Sequence, residues 1–589
     1  MDRKDAINSL RLYMEREDIS AMIIPSSDPH FGEYIPDHYK CLEWLSCFTG
    51  SAGTLVVTAD KAALWTDSRY FIQAQKELAG TGVELMKMKV EGTPTINEWL
   101  RCELDGDSVV AIDEDLFTYH EYQALVDELS PMNVTIIADP FSEIWHDRPS
   151  LEFHSVELMD ESLSGESIVS KHKRLKDTLS TPYPFAYIIS ALDEIAWLCN
   201  IRGTDIEYNP LVLSYAVVTS DKITLFAAEE MFTPAALAYV CGQGVEIRPY
   251  DTFTRYLQNL DKECVRIFSS GKVTAKNYFA ALENIHPVSV YPTLMNDPVH
   301  GGTINMMKAI KNKVELDGFR RACEEDAKAW AKLLNFLKVN IVDKNETEYS
   351  LAPLTEYEIA QKLIEFRKES PDYRGESFEP IVAYAANGAL PHYSATENSS
   401  AVVQKKGFLL IDSGAQYIYG TTDTTRTIPM GQLTQEERED YTAVLKGMVN
   451  LSMAKFPKGT RGAQLDILAR GPVFARGKKY LHGTGHGIGH YLCVHEGPQS
   501  IRMEENPVPL MEGMVLSNEP AVYIEGSHGI RIENTIVVAP WESNQSGDYC
   551  CFETISKIPI STEPIEFSML SENEVEWLYS HAFIDQLPE

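Results

Sequence analysis

The sequence predicts an α/β (α+β) protein of three units, in which two similar α/β units precede a third that is rich in strands. Three observations support this fold class: helical and apolar segments alternate in the first half, the first two units share a pattern, and the pattern changes after a long helix. At 589 residues the chain is also too long for a single hydrophobic core, because larger chains divide into domains.

Residues 1–160 are predicted to form the first unit. A helix at 4–17 precedes the apolar run AMIIP, the segments GTLVVTAD and AALWTD form a predicted hairpin, and a helix follows near 70–79. The strand VVAID, the helix YHEYQALVDEL and the strand NVTIIA complete the unit. Such alternation is typical of a buried sheet covered by helices.

Residues 161–308 are predicted to form a second α/β unit. After a helix come the strand FAYIIS, the helix LDEIAWLCN and the strand AVVTSDKITLFAA. In the first unit, Asp28 and Trp44 follow a strand that ends in serine. Asp193 and Trp197 stand in the same places in the second unit. This internal similarity predicts a duplicated domain.

Residues 309–589 are predicted to form the third unit. It begins with the long helix KVELDGFRRACEEDAKAWAKLLNFLKV. From about 376 to 560 the chain becomes strand-rich, with glycine at the turns. Every candidate metal ligand of the chain falls in this stretch.

Composition and charge exclude several classes of protein. The chain has 52 Lys+Arg against 86 Asp+Glu, a net charge of −34, which argues against nucleic-acid binding because that requires a basic face. The charged N-terminus lacks the apolar core of a signal peptide, and no stretch approaches the roughly 18 apolar residues of a membrane span. The ten cysteines form no CxxC pair. We therefore expect a reduced, cytoplasmic protein that does not insert into membranes.

Five residues of the third unit form a candidate site for two metal ions: Asp412, Asp423, His486, Glu519 and Glu533. Four carboxylates and one neutral imidazole carry about four negative charges, which two divalent cations would balance and one would not. A hydroxide could then bridge the two ions and act as the nucleophile of a hydrolase. Oxygen ligands with a single nitrogen favour Mn²⁺, with Zn²⁺ or Co²⁺ as alternatives.

Local patterns predict how these ligands meet. GFLLID is an apolar run that ends at Asp412, and GTTDTTRT is typical of a paired strand, so a hairpin can place Asp423 beside Asp412. Glu519 follows an apolar strand that ends at a proline. IRIENTIVV is typical of one alternating strand, in which Arg531 and Glu533 face the same way. Arg531 is then either a cation that orients a ligand or half of an exposed ion pair.

The segment HGTGHGIGH matches neither GxGxxG nor HExxH, and glycine at every second position disfavours a helix. We expect a loop in which the glycines allow close approach of backbone and substrate. Four histidines within fourteen residues favour a functional role: 482, 486, 490 and 495. By itself His392, in ANGALPHY, would be a turn or surface histidine. His490 and Cys493 are interpreted as structural.

Taken together, these segments resemble aminopeptidase P, the Xaa-Pro aminopeptidase, in its long three-domain cytosolic form. The motifs are IDSGAQYIYGTTDTTRT, HGTGHGIGHYLCVHEGP, the NEP segment and GIRIEN. EYIPDHYKCLEWLSCFTGSAGTLVVTADKAALWTDSRYF, ALDEIAWLCNIRGTDIEYNPLVLSYAVV and LSENEVEWLY extend the resemblance over nearly the whole chain. It implies two creatinase-like α/β domains, expected at 1–160 and 161–308, before a pita-bread catalytic domain at 309–589.

The resemblance also implies an activity. The family removes the N-terminal residue from peptides whose second residue is proline, using two metal ions that are usually manganese. It further implies a homodimer. One residue departs from the family pattern: His490 stands where a small or apolar residue is expected.

Residue roles follow from the same resemblance. The metal ligands match Asp412, Asp423, His486, Glu519 and Glu533. His392 and His495 match histidines that shuttle protons and stabilise the tetrahedral intermediate, and His482 matches the histidine that lines the substrate site. Glu519 is expected to act as the general base as well, although charge alone would allow either glutamate. Two further residues match supports behind the ligands: Arg531 and Tyr523.

Three alternatives remain open. A prolidase has the same fold and metals but cuts dipeptides with C-terminal proline; the three-unit length and the GAQY and VHEGP contexts weigh against it. A methionine aminopeptidase is disfavoured by the two large N-terminal units. A pita-bread protein that binds peptides or histones without catalysis should lack ligands, whereas all five are present here.

Overall fold

The computed structural model describes most of the chain, namely residues 3–181, 183–260, 266–269, 271–282, 294–296, 299, 301–342 and 353–584. The chain divides into two compact units. The first comprises Met1–Met159 and Glu166–Ile304, and the second comprises Asp160–Gly165 and Asn305–Glu589. Within the described ranges, no helix combines the length and apolar character that crossing a membrane requires.

The first unit contains two sheets of six strands each. The strands of the first sheet are Ala21–Pro25, Thr54–Thr58, Ala62–Thr66, Glu84–Lys87, Val109–Asp113 and Asn133–Ile137. Those of the second sheet are Phe185–Ile189, Tyr215–Thr219, Ile223–Phe226, Val245–Arg248, Arg266–Ser269 and Leu294–Asn296. A two-stranded pair adds Glu157–Leu158 and Ile201–Arg202.

Both six-stranded sheets have the same topology. Numbered along the chain within each sheet, the strands lie in the order 4-3-2-1-5-6. In each sheet the first strand runs antiparallel to the second and parallel to the fifth. This shared topology supports the predicted duplication. Apolar residues fill each sheet and its covering helices, as they do around Leu55 and Leu64 in the first and Ile188 and Val217 in the second.

The helices of the first unit largely follow the predicted pattern. They are Arg3–Arg16, Cys41–Ser46, Phe71–Glu77, Ile96–Glu103, Tyr119–Leu129, Phe141–Ile144, Ile168–Leu179, Leu192–Leu198, Pro234–Gly242, Phe253–Gln258 and Ala275–Leu282. Two of them begin at a capping box, in which a threonine and the glutamate three residues later bind each other's backbone N–H: Thr95 with Glu98 and Thr118 with Glu121. The sequence encodes these helix starts locally.

One predicted strand of the second sheet is wrong. AVVTSDKITLFAA is a hairpin of two antiparallel strands, Tyr215–Thr219 and Ile223–Phe226. The polar residues between them turn the chain, and the Thr219 N–H donates to the Lys222 carbonyl at 2.9 Å. The sequence pattern predicts one continuous strand here because the turn contains neither glycine nor proline.

Asp113 supports a prediction about pH and stability. It ends the strand Val109–Asp113 and is buried. Burial raises the pKa of Asp113 from 3.8 to about 7, although the Asp115 N–H donates to it. The folded protein then binds this proton more tightly than the unfolded chain does, so stability falls as pH rises between those two values. Asp113→Asn should therefore raise the Tm at about pH 8 but not near pH 4.

Thermal unfolding of both proteins at the two pH values checks this expectation. Asp107→Asn, at an exposed turn, is the matched control. A gain that is equal at both pH values would contradict the assignment, because it would not depend on the carboxyl proton.

The second unit contains the sheets that carry the candidate ligands. Its strands are Tyr373–Glu376, Ile381–Tyr384, Phe408–Ser413, Ala415–Tyr417, Gly420–Thr421, Thr424–Pro429, Lys455–Pro457, Gly485–Gly487, Glu496–Ile501, Val515–Asn518, Ala521–Ile524, His528–Arg531, Asn534–Asn544 and Gly547–Thr554. Its helices are Glu161–Ser164, Lys313–Leu337, Glu356–Arg367, Gln435–Ser452, Gly462–Phe474 and Glu572–Ser580, and the chain enters the unit within Thr303–Ala309.

The stretch predicted to be strand-rich also contains two helices that pack against each other. Gln435–Ser452 begins at a capping box formed by Thr434 and Glu437. Gly462–Phe474 lies against it and includes Pro472. The predicted long helix is confirmed as Lys313–Leu337.

A buried arginine fixes the strand that carries Asp412. Arg367 is fully buried and forms an ion pair with Asp326 at 2.7 Å. It also pairs with Glu376 and donates to the Ser413 hydroxyl at 2.5 Å. Because Ser413 follows Asp412 directly, this network holds the C-terminal end of the strand Phe408–Ser413 in place.

Candidate metal centre

Two paired strands bring the first two candidate ligands together. Phe408–Ser413 runs antiparallel to Thr424–Pro429, with Asp412 opposite Thr425. Asp423 directly precedes the second strand, and both carboxylates are buried. The predicted pairing beside Asp412 is confirmed, but GTTDTTRT is not one strand: Gly420–Thr421 belongs to another sheet than Thr424–Pro429.

His486 lies on a three-residue strand, Gly485–Gly487, rather than in an irregular loop. This strand pairs with Val515–Asn518 on one side and Glu496–Ile501 on the other. The predicted loop is therefore wrong at its centre.

The glycines on either side of His486 have a packing reason. A Cβ at Gly485 would overlap the carbonyl oxygen of Ser517, and a Cβ at Gly487 would overlap that of Glu496. Only glycine allows the neighbouring strands to approach this closely. Glycine on both sides of His486 thus allows its strand to lie between two neighbouring strands.

The two glutamates come from chain segments next to the same sheet. Glu519 follows the strand Val515–Asn518, as predicted, and its N–H donates to the Thr484 carbonyl at 2.8 Å. Glu533 lies between the strands His528–Arg531 and Asn534–Asn544. IRIENTIVV is therefore not one continuous strand, because the chain leaves a two-stranded sheet and enters the six-stranded sheet at this point.

The donor atoms of these residues converge. The Nε2 atom of His486 lies 3.3 Å from Asp423 Oδ2 and 3.6 Å from Glu519 Oε1. Donor atoms of Asp423, His486 and Glu533 lie within 4.8 Å of one another. Such spacing allows one cation to contact several of them.

The electrostatics of the cluster favour bound cations. Burial lowers the pKa of His486, but Asp423 and Glu519 outweigh it and raise that pKa to about 9. Burial raises the pKa of Glu533 well above its usual value, and Asp423 and Asp412 raise it further. Oδ1 of Asp412 is buried without a hydrogen-bond partner. A donor set of this composition fits divalent ions, which would compensate charges that the protein leaves close together.

Arg531 contacts Asp412 and is not part of an exposed pair. Its Nη2 lies 2.5 Å from Asp412 Oδ2, and the arginine side chain is 3% exposed. Its Nη1 donates to the Tyr523 hydroxyl at 2.6 Å. His482 Nε2 lies 2.9 Å from the same hydroxyl. Arg531 therefore links the candidate ligand Asp412 to the candidate substrate-site residue His482.

Thr425 is a site residue that sequence reasoning missed. Arg531 Nε donates to its hydroxyl at 3.2 Å, and that hydroxyl donates to Glu533 Oε2 at 2.7 Å. The available signal was its position two residues after Asp423 in the predicted strand GTTDTTRT, because alternate residues of a strand share a face. Ser517 was missed in the same way, two residues before Glu519; its hydroxyl lies 3.4 Å from Glu519 Oε1.

The remaining histidines differ in their positions. The His495 ring lies 4.4 Å from the His486 ring, centroid to centroid. His482 Nδ1 lies 3.9 Å from Glu519 Oε2. His490 is buried, with its ring 5.7 Å from that of Phe319. His392 is half-buried in the turn after Ala385–Ala389.

A close backbone contact holds the segment before His392 against the strand that carries Arg531. A Cβ at Gly529 would overlap the carbonyl oxygen of Gly388. Gly529→Ala should therefore displace the segment, lower the free energy of unfolding by about 1–3 kcal/mol, as overpacking does, and reduce kcat/KM. Thermal unfolding and peptide kinetics measure both effects.

The matched control is Gly471→Ala. Nothing lies within 4 Å of a Cβ at Gly471, which is inside the helix Gly462–Phe474. That change should be neutral or stabilise the protein by about 0.5–1 kcal/mol. Equal behaviour of the two variants would contradict the proposed close contact.

Comparison with known proteins relates the whole chain to metallopeptidases. Residues 317–540 match metallopeptidase family M24, and residues 7–143 and 147–315 match the creatinase/prolidase N-terminal domain. The chain is 37% identical to Xaa-Pro aminopeptidase 1 of Dictyostelium discoideum, over 97% of this chain and 91% of that protein. It is 37% identical to aminopeptidase P2 of Arabidopsis thaliana, over 96% of this chain and 82% of that protein.

A solved structure shares the fold over almost the full length. It is the X-prolyl aminopeptidase of Caenorhabditis elegans, described as a cytosolic enzyme with a di-nuclear active site. Its TM-score is 0.90 at 32% sequence identity, covering 99% of this chain and 95% of that chain.

Proposed function

Because the chain belongs to the Xaa-Pro aminopeptidases of metallopeptidase family M24, we propose that it releases the N-terminal residue from peptides whose second residue is proline. The same relationship confirms the expected fold class, two creatinase-type domains followed by a pita-bread domain. The observation that carries the proposal is the convergence of Asp423, His486 and Glu519 in one largely buried cluster.

We further propose the ligands of two divalent ions, with Mn²⁺ as the expected metal: Asp412, Asp423, His486, Glu519 and Glu533. The oxygen-rich set supports manganese, and the converging donor atoms support a shared site. When bound, the two ions supply an activated water and polarise the carbonyl of the scissile bond.

The residues of the chain then move protons and hold charge. The oxygen of the attacking water bonds to the carbonyl carbon of the first residue, and Glu519 accepts the proton that this water loses. As the carbon–nitrogen bond breaks, that proton passes to the proline nitrogen, with His495 assisting. His392 stabilises the oxyanion, and His482 lines the substrate site. Arg531 keeps Asp412 charged and oriented.

A prolidase-type activity is the alternative with the same site chemistry. A prolidase cuts an Xaa-Pro dipeptide, whereas an aminopeptidase of this kind cuts Xaa-Pro-Xaa. Relatives that match nearly the full length of this chain are Xaa-Pro aminopeptidases, which supports the aminopeptidase activity over the prolidase activity. That family membership also disfavours a methionine aminopeptidase and a non-catalytic peptide binder.

A Mn²⁺-dependent assay with product identification tests the proposed function. The purified protein is incubated with an Xaa-Pro-Xaa peptide, an Xaa-Pro dipeptide and an Xaa-Ala-Xaa peptide, and the products are identified by mass. Release of the first residue from the first peptide alone is the expected result. Cleavage of the dipeptide alone would identify a prolidase instead.

We propose that the chain forms three domains, at 1–160, 161–308 and 309–589. We also propose that its substrates are peptides and that it is located in the cytoplasm. The C. elegans enzyme is cytosolic, and the absence of CxxC pairs fits a reduced compartment. The acidic balance of −34 supports the absence of nucleic acid among its partners.

We also propose that the protein is a homodimer, and an exposed apolar surface supports this. Ile467, Leu468 and Phe474 on the helix Gly462–Phe474 are 55%, 37% and 42% exposed, and Leu481 nearby in sequence is 56% exposed. Ile467 and Phe474 are seven residues apart on this helix and therefore share a face. Exposed apolar side chains that share a face mark an interaction surface more often than scattered ones do.

Light scattering of a charged variant tests the homodimer. Ile467→Glu combined with Phe474→Glu should convert a dimer into a monomer, because burying two carboxylates in an interface is costly. Leu12→Glu, at a 68% exposed position of the first unit, is the control and should remain dimeric. A wild-type protein that is already monomeric would contradict the proposal.

A further inference from the structure

We infer that Arg470, held by Asp466, is a positioning residue for the active site: its guanidinium fixes the segment 480–484, which carries His482 and accepts the backbone N–H of Glu519. The inference rests on the proposed function, because it concerns how the same site is held in its working geometry. Arg470 and Asp466 are neither proposed metal ligands nor among the site residues that the sequence predicts.

Arg470 uses its guanidinium on three acceptors at once. Its Nε donates to Asp466 Oδ2 at 2.5 Å, its Nη1 to the Tyr480 carbonyl at 2.8 Å and its Nη2 to the His482 carbonyl at 2.7 Å. The arginine is 1% exposed, and its guanidinium carbon lies 3.9 Å from the centre of the Tyr480 ring. A planar fork stacked on a ring has one geometry that satisfies all of these contacts.

Asp466 extends the network to Thr484. Its Oδ1 accepts the Thr484 hydroxyl at 2.5 Å, and that hydroxyl lies 2.6 Å from the Tyr480 hydroxyl. The Thr484 carbonyl in turn accepts the N–H of Glu519 at 2.8 Å. Asp466 and Arg470 therefore hold both ends of the segment 480–484. Because Thr484 accepts the N–H of Glu519, they also hold the backbone of Glu519.

The segment transmits this position to side chains of the site. His482 Nδ1 lies 2.7 Å from the Gly483 carbonyl, so the orientation of its ring depends on the backbone beside it. The other ring nitrogen meets Tyr523, whose hydroxyl accepts a hydrogen bond from Arg531. Because a misplacement of about 1 Å at a reacting centre costs about 10²-fold in rate, loosening the segment should lower turnover.

The contact pattern favours positioning over a purely structural role. An Asp and an Arg four residues apart on a helix often form an exposed ion pair that contributes little to stability. Here both side chains are at most 3% exposed. Two of the three acceptors of Arg470 are main-chain carbonyls of the segment, one of them that of His482.

Arg470→Lys tests the inference, because lysine keeps the charge but cannot reach three acceptors in one plane. With Mn²⁺ and an Xaa-Pro-Xaa peptide, kcat/KM should fall about 10–100-fold, while bound metal per chain stays at the wild-type value. Asp466→Asn, which preserves shape, should give a similar loss and provides a second test if the lysine variant folds poorly. Arg476 contacts Glu439 and Asp440 instead, so Arg476→Lys is the matched control, and its kcat/KM should remain near the wild-type value.

A double-mutant cycle with His482→Ala separates positioning from general stability. If Arg470 acts through His482, adding Arg470→Lys to His482→Ala should cause a much smaller further loss than in the wild-type background. Additive losses, or an Arg470→Lys protein that has a lower Tm but wild-type kcat/KM when folded, would overturn the inference. A wild-type protein without Xaa-Pro-Xaa cleavage would instead refute the proposed function.

Discussion

Replacing Glu519 with glutamine is expected to lower kcat on an Xaa-Pro-Xaa peptide by about 10²–10⁴-fold, the contribution of a general base. The two candidate glutamates differ in what surrounds their carboxylates. Glu533 is 1% exposed, and its Oε2 accepts the Thr425 hydroxyl. Glu519 is half-buried, and its two oxygens lie 3.6 Å from His486 Nε2 and 3.9 Å from His482 Nδ1. Because Glu519 is the more exposed of the two, its carboxylate suits proton transfer with a substrate better than that of Glu533.

Glu533→Gln is the matched comparison for Glu519→Gln. It should weaken metal binding, so its activity should recover in part as the Mn²⁺ concentration rises. The activity of Glu519→Gln should stay low at every Mn²⁺ concentration, with bound metal measured by elemental analysis. Retention of more than about a tenth of the wild-type rate by Glu519→Gln would rule out its role as the base.

Removing divalent metal is expected to abolish peptidase activity and to lower the Tm. Burial raises the pKa of Asp412; Arg531 opposes this rise and the neighbouring Asp423 adds to it, so the two carboxylates repel one another when no metal ion lies between them. A ligand that binds only the folded protein stabilises it by about 2.7 kcal/mol at a concentration one hundred times its Kd. Adding Mn²⁺ after chelation should therefore restore both activity and Tm.

The dependence on pH gives this prediction a definite sign. Because bound metal competes with protons for the carboxylates, the rise in Tm on adding Mn²⁺ should shrink as pH falls. Asp423→Asn combined with His486→Ala should show a smaller rise at every pH. An unchanged Tm and an absence of bound divalent ions in the active protein would falsify the assignment of the site.

Zn²⁺ and Co²⁺ added in place of Mn²⁺ test the identity of the metal. The oxygen-rich donor set should give the highest turnover with Mn²⁺. Higher turnover with Zn²⁺ at equal occupancy would reject manganese as the preferred metal.

Local sequence patterns predicted much of the fold. The helix YHEYQALVDEL is Tyr119–Leu129, and its capping box begins at Thr118 as a threonine–glutamate pair three residues apart would suggest. The paired strands around Asp412 and the strand before Glu519 were also predicted, because apolar runs with a clear end specify a strand without reference to distant residues.

Two of the errors fell where distant segments decide local conformation, whereas the missed turn in AVVTSDKITLFAA is local. The strand break at Glu533 cannot be recognised in IRIENTIVV, whose alternation continues across it. His486 joins a sheet because Ser517 and Glu496 approach the glycines beside it. In both places the backbone follows partners contributed by other strands, and tertiary pairing overrides a weak local preference.

The sequence by itself determined the fold class, the duplicated N-terminal domain and the identity of the candidate ligands, because periodicity, capping residues and short motifs are local properties of the chain. Only the tertiary structure decided which of these groups meet. Arg531 reaches Asp412 across 119 positions of sequence, and Arg470 is buried against the carbonyl of His482 instead of forming a surface ion pair with Asp466 alone. Contacts of this kind depend on how sheets and helices pack, and no local pattern contains that information.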